Sequence, residues 1–173
     1  MRAIRAIARR ETGAFFHSAM APVVIGGFLL LLGWFALVIF LRYGEASLVV
    51  VRSGRTGYLN AFEGMFRPLF DAMMFLLLFL LPAVTMRLIS GELQSGRHDL
   101  ILSWPVTDRA WILGKWLSAV AVAAVLIVAG AAYFGVAGVL GAAPETLPLL
   151  LATGGLLLAT AAILAWGMVF TAL

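Results

Sequence analysis

Residues 23–41 read VVIGGFLLLLGWFALVIFL, nineteen positions without a charge or a proline. At 1.5 Å per residue this is a helix of about 28 Å, which matches the hydrocarbon core of a bilayer. Pro22 opens the run and Arg42 closes it. It is too long and too unbroken for an ordinary core helix, whose outer face is polar. Residues 22–41 are therefore a membrane span, and the fold class follows from them: an all-α, polytopic transmembrane helix bundle.

The rest of the chain agrees. Of its 173 residues, 64% are hydrophobic and 12% charged, with mean hydropathy +1.08. A water-soluble domain carries roughly a quarter charged residues, so this chain needs lipid as solvent. No cysteine is present, which excludes disulfides, thiolate nucleophiles and cysteine-ligated metals. The net charge of +4 comes from basic residues that flank apolar runs. They read as membrane anchors and topology signals, with no nucleic acid as partner.

Three further spans are expected, at about 68–89, 110–140 and 147–172, all in one domain, 1–173. The second is the least uniform. Only fifteen uncharged residues separate Asp71 from Arg87, so Asp71 must sit at one headgroup layer while Arg87 snorkels to the other. Pro82 should loosen its last turns. Residues 116–144 and 146–173 are uncharged apart from Glu145 between them, and Gly141 to Pro148 reads as the turn of a tight hairpin. Ala119, Ala123, Ala131, Gly135 and Gly138 in the third span, and Ala152, Gly155, Ala159 and Ala162 in the fourth, recur at helical spacing. Small faces of that kind allow close backbone approach.

Ahead of the first span, residues 3–18 form an amphipathic helix, with Ile4, Ile7, Ala8 and Phe15 near one face and the arginines largely elsewhere. A retained helix in the membrane interface is expected in preference to a signal peptide, because the basic region is long and no clear cleavage site follows it. Eight Lys and Arg residues lie on the side of the N-terminus and four on the other, if the N-terminus is cytoplasmic. That bias favours a cytoplasmic N-terminus in the inner (plasma) membrane, with membrane lipid as a partner.

Chemistry within the spans finds few candidates. His17 and His98 are the only histidines, and no His-Glu-x-x-His motif or intramembrane carboxylate pair exists. Asp71 reads as an outer-interface cap, and Ser18 and Ser118 lack a neighbouring base. Trp104, Trp111 and Trp116 fit an aromatic belt. No catalytic residue, bound cofactor or metal site is expected.

The informative stretch lies between spans two and three, in a cytoplasmic coupling segment at 90–109. Gly91 and Gly96 should break the helix and Ser95 cap a new one. Leu100, Ile101 and Leu102 give that short helix an apolar patch, and Trp104-Pro105 ends it. Glu92, Arg97, Asp99, Asp108 and Arg109 surround the patch with charge. Such a pattern suits a docking surface or a helix lying on the lipid interface.

The run MRLISGELQSGRHDLILSWPVTD (86–108), followed by Leu113-Gly114-Lys115, resembles the coupling segment of type-2 ABC exporter permeases, nearest the gliding-motility-associated group. Pro82, Met86, Arg87, Glu92, Ser95, Gly96, Leu100, Leu102, Pro105, Val106, Gly114 and Lys115 stand where that pattern expects them. Glu11, Phe15, Phe16 and Ser18 before the first span are also similar. The resemblance covers most of the chain, and its specific part is about 81–115. Two features depart from it. The acidic position of a Gly-Thr-Leu-Glu-like run is replaced by Gly96-Arg97-His98-Asp99-Leu100, and members have about six spans where this chain has four, which implies a truncated product or fragment.

The resemblance implies a permease subunit docked by a separate ABC ATPase through Glu92, Ser95, Gly96, Arg97, Asp99, Leu100, Ile101, Leu102 and Pro105, and paired with a second permease chain. ATP would act through the partner subunit, since no phosphate-binding loop of the form G-x-x-x-x-G-K-[ST] occurs here. The alternative is a non-transporting membrane scaffold or assembly factor that binds a soluble partner through the same segment. A membrane-embedded enzyme lacks reactive groups.

Overall fold

The computed structural model describes residues 2–53, 60–94, 108–139, 141–142 and 146–172, with side chains described for 4–53, 60–82, 109–139, 141–142 and 146–169. All regular structure among them is helical. The elements are α1 (Arg2–Phe16), α2 (Met20–Arg52), a π-helical turn at Phe62–Phe66 that runs directly into α3 (Arg67–Gln94), α4 (Asp108–Gly130), α5 (Ala132–Val139) and α6 (Thr146–Ala172). Among the described residues four stretches are long and apolar enough to cross a membrane: Met20–Arg52, Phe62–Pro82, Arg109–Val139 and Thr146–Val169. The protein is a multi-pass membrane helix bundle.

Helix α2 does not stop at Arg42. It continues to Arg52, 33 residues in all, or about 50 Å against a hydrocarbon core of about 30 Å. Arg42, Glu45 and Arg52 lie on the excess and are exposed. One charge does not end a helix whose hydrogen bonds close internally, and the helix ends instead where the Ser53 hydroxyl and amide turn back on the Val50 and Val49 carbonyls.

The second span also begins earlier than its charges suggest. The Asn60 side chain accepts the Phe62 amide at 2.9 Å, so Asn60 caps the helix. Asp71 lies well inside that continuous helix and is exposed, which overturns its reading as a cap. Glu63 and Arg67, one turn apart, form a 2.8 Å ion pair on the exposed side. At the other end the backbone stays helical through Gly91 to Gln94. A glycine inside a helix costs only about 1 kcal/mol relative to alanine, and here it produces no break.

Helices α3 and α4 are the centre. Phe66 at the end of the π-helical turn and Leu69, Phe70, Met73, Leu77 and Leu81 on α3 are buried at three- and four-residue spacing, as are Ala119, Val122, Ala123, Leu126 and Ile127 on α4. Half of the α3 span is buried, at 50%, against 17% for α2 and 17% for α6. Those outer helices each contribute one narrow seam: Phe28, Leu32 and Ala36 from α2, and Leu156, Thr160 and Leu164 from α6. The small residues expected to pack in α6 are therefore not its innermost ones; Gly155 and Ala162 are exposed.

The third span is not one straight helix. At Ala131 the regular ladder shifts: Ala131 still donates to Ile127, but Phe134 donates to Ala131, a tighter bond. The kink brings Phe134 against Phe66 and Phe70, with ring centroids at 5.7 and 4.7 Å. Helix α5 then ends in a paired-bond C-cap. The Ala142 amide donates to Ala137 and the Gly141 amide to Gly138, with Gly141 at φ +92°. That left-handed conformation is what the glycine of the expected hairpin turn supplies.

Candidate functional site

The chain crosses back and forth, so one end of the bundle gathers α1, the end of α3, the start of α4 and the end of α6. The segment 90–109 joins the end of α3 to the start of α4. Glu92 lies in the last helical turn of α3. Ser95, Gly96, Arg97, Asp99, Leu100, Ile101, Leu102 and Pro105 lie outside the described residues. Its surroundings can be built from α1 and α4.

Helix α1 packs chiefly on α4. Ile4, Ile7, Ala8, Glu11 and Phe15 share one face by helical spacing; Ala8 is buried and the others half-buried. The contact is close at Gly114. A Cβ added there would lie 2.7 Å from Ile7 Cγ2 and 3.4 Å from the Ile4 carbonyl oxygen. Glycine is needed because α1 rests on that part of the α4 backbone. Much of the apolar face of α1 therefore covers α4.

Next to the contact, Lys115 is 2% exposed although it carries a charge. Its ammonium lies 4.8 Å from the centroid of the Trp111 ring, whose negative face offsets part of the loss of water. The Lys115 carbonyl accepts the Ser118 hydroxyl at 2.7 Å. One residue on, the Trp116 indole donates to the Ala161 carbonyl of α6 at 3.1 Å. The first turns of α4 therefore hold α1 on one side and α6 on the other. Trp116 is half-buried, and its bond across to α6 is the part that spacing could not show.

Further from this end the interior is apolar. Among the described residues the buried polar side chains are Lys115, Ser118 and Thr160. The Thr160 hydroxyl bonds to the Leu157 carbonyl at 2.9 Å, so both buried hydroxyls are satisfied by their own helices. Among the described residues no three His, Cys, Asp or Glu side chains come together as a metal site would require. His17 sits in the turn between α1 and α2, its Nδ1 at 2.7 Å from the Gly13 carbonyl.

The site was partly visible in the sequence. Gly114 and Lys115 were marked by the resemblance, but the reason for the glycine, a helix crossing from more than a hundred residues away, carries no local signal. Lysine burial was missed for the same reason. No protein-family model, curated protein or solved structure matches the chain.

Proposed function

We propose that this chain is a membrane-spanning permease subunit of an ATP-driven exporter in the inner membrane, with its N-terminus cytoplasmic. A separate ATPase would dock on the segment 90–109, and a second permease chain would complete the transporter. The observation that carries the reading is where that segment is inserted. It joins α3 to α4, the two central helices, and α4 is tied through Gly114 to α1 and through Trp116 to α6. A displacement applied there has a packed route to all the helices at that end. The motif resemblance over 86–115 and the basic bias of the N-terminal side support the same assignment.

The apolar interior bears on the path. Thr160 and Ser118 are buried, and each donates to a carbonyl of its own helix. On this reading a route for polar cargo would run between this chain and the second permease chain. The same interior favours the second reading, a membrane scaffold that docks a soluble partner without transport.

Because the chain lacks cysteine, single cysteines at Leu100, Ile101 or Leu102 test the assignment directly. Crosslinking to a co-expressed ATPase, altered by nucleotide, is the expected outcome. Labelling of these positions by lipid-phase reagents would overturn it. A soluble partner without ATPase activity, captured at the same cysteines, would select the scaffold.

A further inference from the structure

Helix α1 carries four arginines and one acid. The acid, Glu11, lies on the half-buried side with Ile4, Ile7 and Ala8, whereas Arg5, Arg9 and Arg10 are exposed. Arg5 and Arg9 are one turn apart and so form a stripe on the side turned away from α4, with Arg10 at its flank. Among the described residues none of these three arginines forms an ion pair. The charge on α1 is therefore segregated, with the acid inward and the bases outward.

Depth decides what meets the stripe. Ile7 rests on Gly114, one residue before Lys115, the last charge before the uncharged stretch of α4. At its other end α1 turns through His17, Ser18 and Ala19 directly into α2, with the Ser18 hydroxyl bonded to the Phe15 carbonyl at 2.7 Å. Both ties hold α1 level with the ends of the apolar runs, where headgroups lie. Exposed apolar side chains adjoin it: Phe16 at 37%, Ile112 at 46% and Leu113 at 48%. Basic side chains above apolar ones are the arrangement of an interfacial helix.

We propose that Arg5, Arg9 and Arg10 form a binding surface for the headgroups of anionic phospholipids. The apolar face of α1 is occupied by α4, so hydrophobic insertion contributes little, and attraction between guanidinium and phosphate is the term left to hold the outer face. Each basic residue near an anionic membrane surface raises binding about fivefold. The bound lipids would fix the tilt and depth of α1, and through Gly114 the seating of α4. This inference does not depend on the transport reading and would hold for a scaffold as well.

The test uses the full chain in nanodiscs of phosphatidylcholine and phosphatidylglycerol in equal amounts, followed by release into mild detergent and native mass spectrometry of retained lipid. The wild type is expected to retain phosphatidylglycerol over phosphatidylcholine by roughly fivefold or more. The Arg5→Gln/Arg9→Gln/Arg10→Gln variant should fall towards parity, as should the wild type released in high salt. Parity in the wild type, or enrichment unchanged in the variant, would overturn the proposal. Should the triple variant fail to fold, a nitroxide at Ala6→Cys on the otherwise wild-type chain gives a second readout, since Ala6 is exposed beside the stripe. Its accessibility to a water-soluble relaxation agent should drop as phosphatidylglycerol replaces phosphatidylcholine. Accessibility independent of lipid charge would count against the proposal, as would arginine-dependent capture of an acidic protein without lipid enrichment.

Discussion

The Tyr133 hydroxyl donates a 2.8 Å hydrogen bond to the Leu29 carbonyl, joining α5 to α2 within the apolar layer. Leu29 O lies on the face opened by Gly33, where an added Cβ would stand 2.5 Å from the tyrosine oxygen. The glycine and the phenol are one device: the missing side chain lets the ring reach a backbone acceptor. Tyr133→Phe should remove the bond and lower stability by about 0.6 kcal/mol, the average for such bonds in a membrane bundle. Gly33→Ala should do more harm, about 1–3 kcal/mol, because the clash displaces the ring as well. Unfolding in detergent followed by tryptophan fluorescence would rank the two. Equal stability of Gly33→Ala and the wild type would contradict the close approach.

Gly114 is expected to control whether α1 stays docked. Gly114→Leu would drive a side chain into Ile7 and the Ile4 carbonyl, and backbone cannot move aside as a flexible side-chain tip can. A cysteine at Ala8, a buried position, should then react with a water-soluble maleimide far faster than in the Gly114 background. If labelling stays slow, α1 is not seated on Gly114.

At the hairpin, Gly141 holds φ +92° to close two backbone bonds. Gly141→Ala should cost about 1 kcal/mol through the left-handed conformation alone, since nothing lies within 4 Å of the added Cβ. The same substitution at Gly135, which also has open space but ordinary helical geometry, should be neutral or slightly stabilising. Thermal unfolding of the pair separates conformation from packing.

The Trp116 indole reaches the Ala161 carbonyl. Trp116→Phe keeps an apolar ring and loses the donor, and should loosen α6 from α4 at that end. A cysteine pair spanning these helices should crosslink less efficiently in the variant. By contrast, Glu63→Gln should change stability by no more than about 0.5 kcal/mol, because its ion pair with Arg67 is exposed, at 56% and 64%.

How far these relationships were legible in the sequence differs by element. The uncharged runs at 23–41, 116–144 and 146–173 announced spans, and the turn residues around Gly141 announced the hairpin. The boundaries were less legible. Arg42 and Asp71 border the uncharged runs, yet a helix closes its hydrogen bonds internally and carries a charge along its exposed side without ending. Gly91 was read as a break, although one glycine is a small penalty inside a long helix.

The amphipathic pattern of α1 was visible, and so was its apolar face. What covered that face was not, because lipid and α4 both satisfy Ile4, Ile7 and Ala8. Ser95 to Pro105 lie outside the described residues.

Composition and run length, read alone, establish a multi-pass helical membrane protein, since a bilayer demands long uncharged stretches whatever packs beside them. They could not say which side of each helix is inward. In water the buried face is the apolar one, but in lipid both faces are apolar. Phe28, Leu32 and Ala36 on α2 look no different in sequence from Leu30, Trp34 and Leu37, yet the first set is buried and the second exposed. That choice, together with the central place of α3 and α4 and the seat of α1 on Gly114, belongs to the tertiary structure, because complementary shape and backbone hydrogen bonding select among faces of equal hydrophobicity.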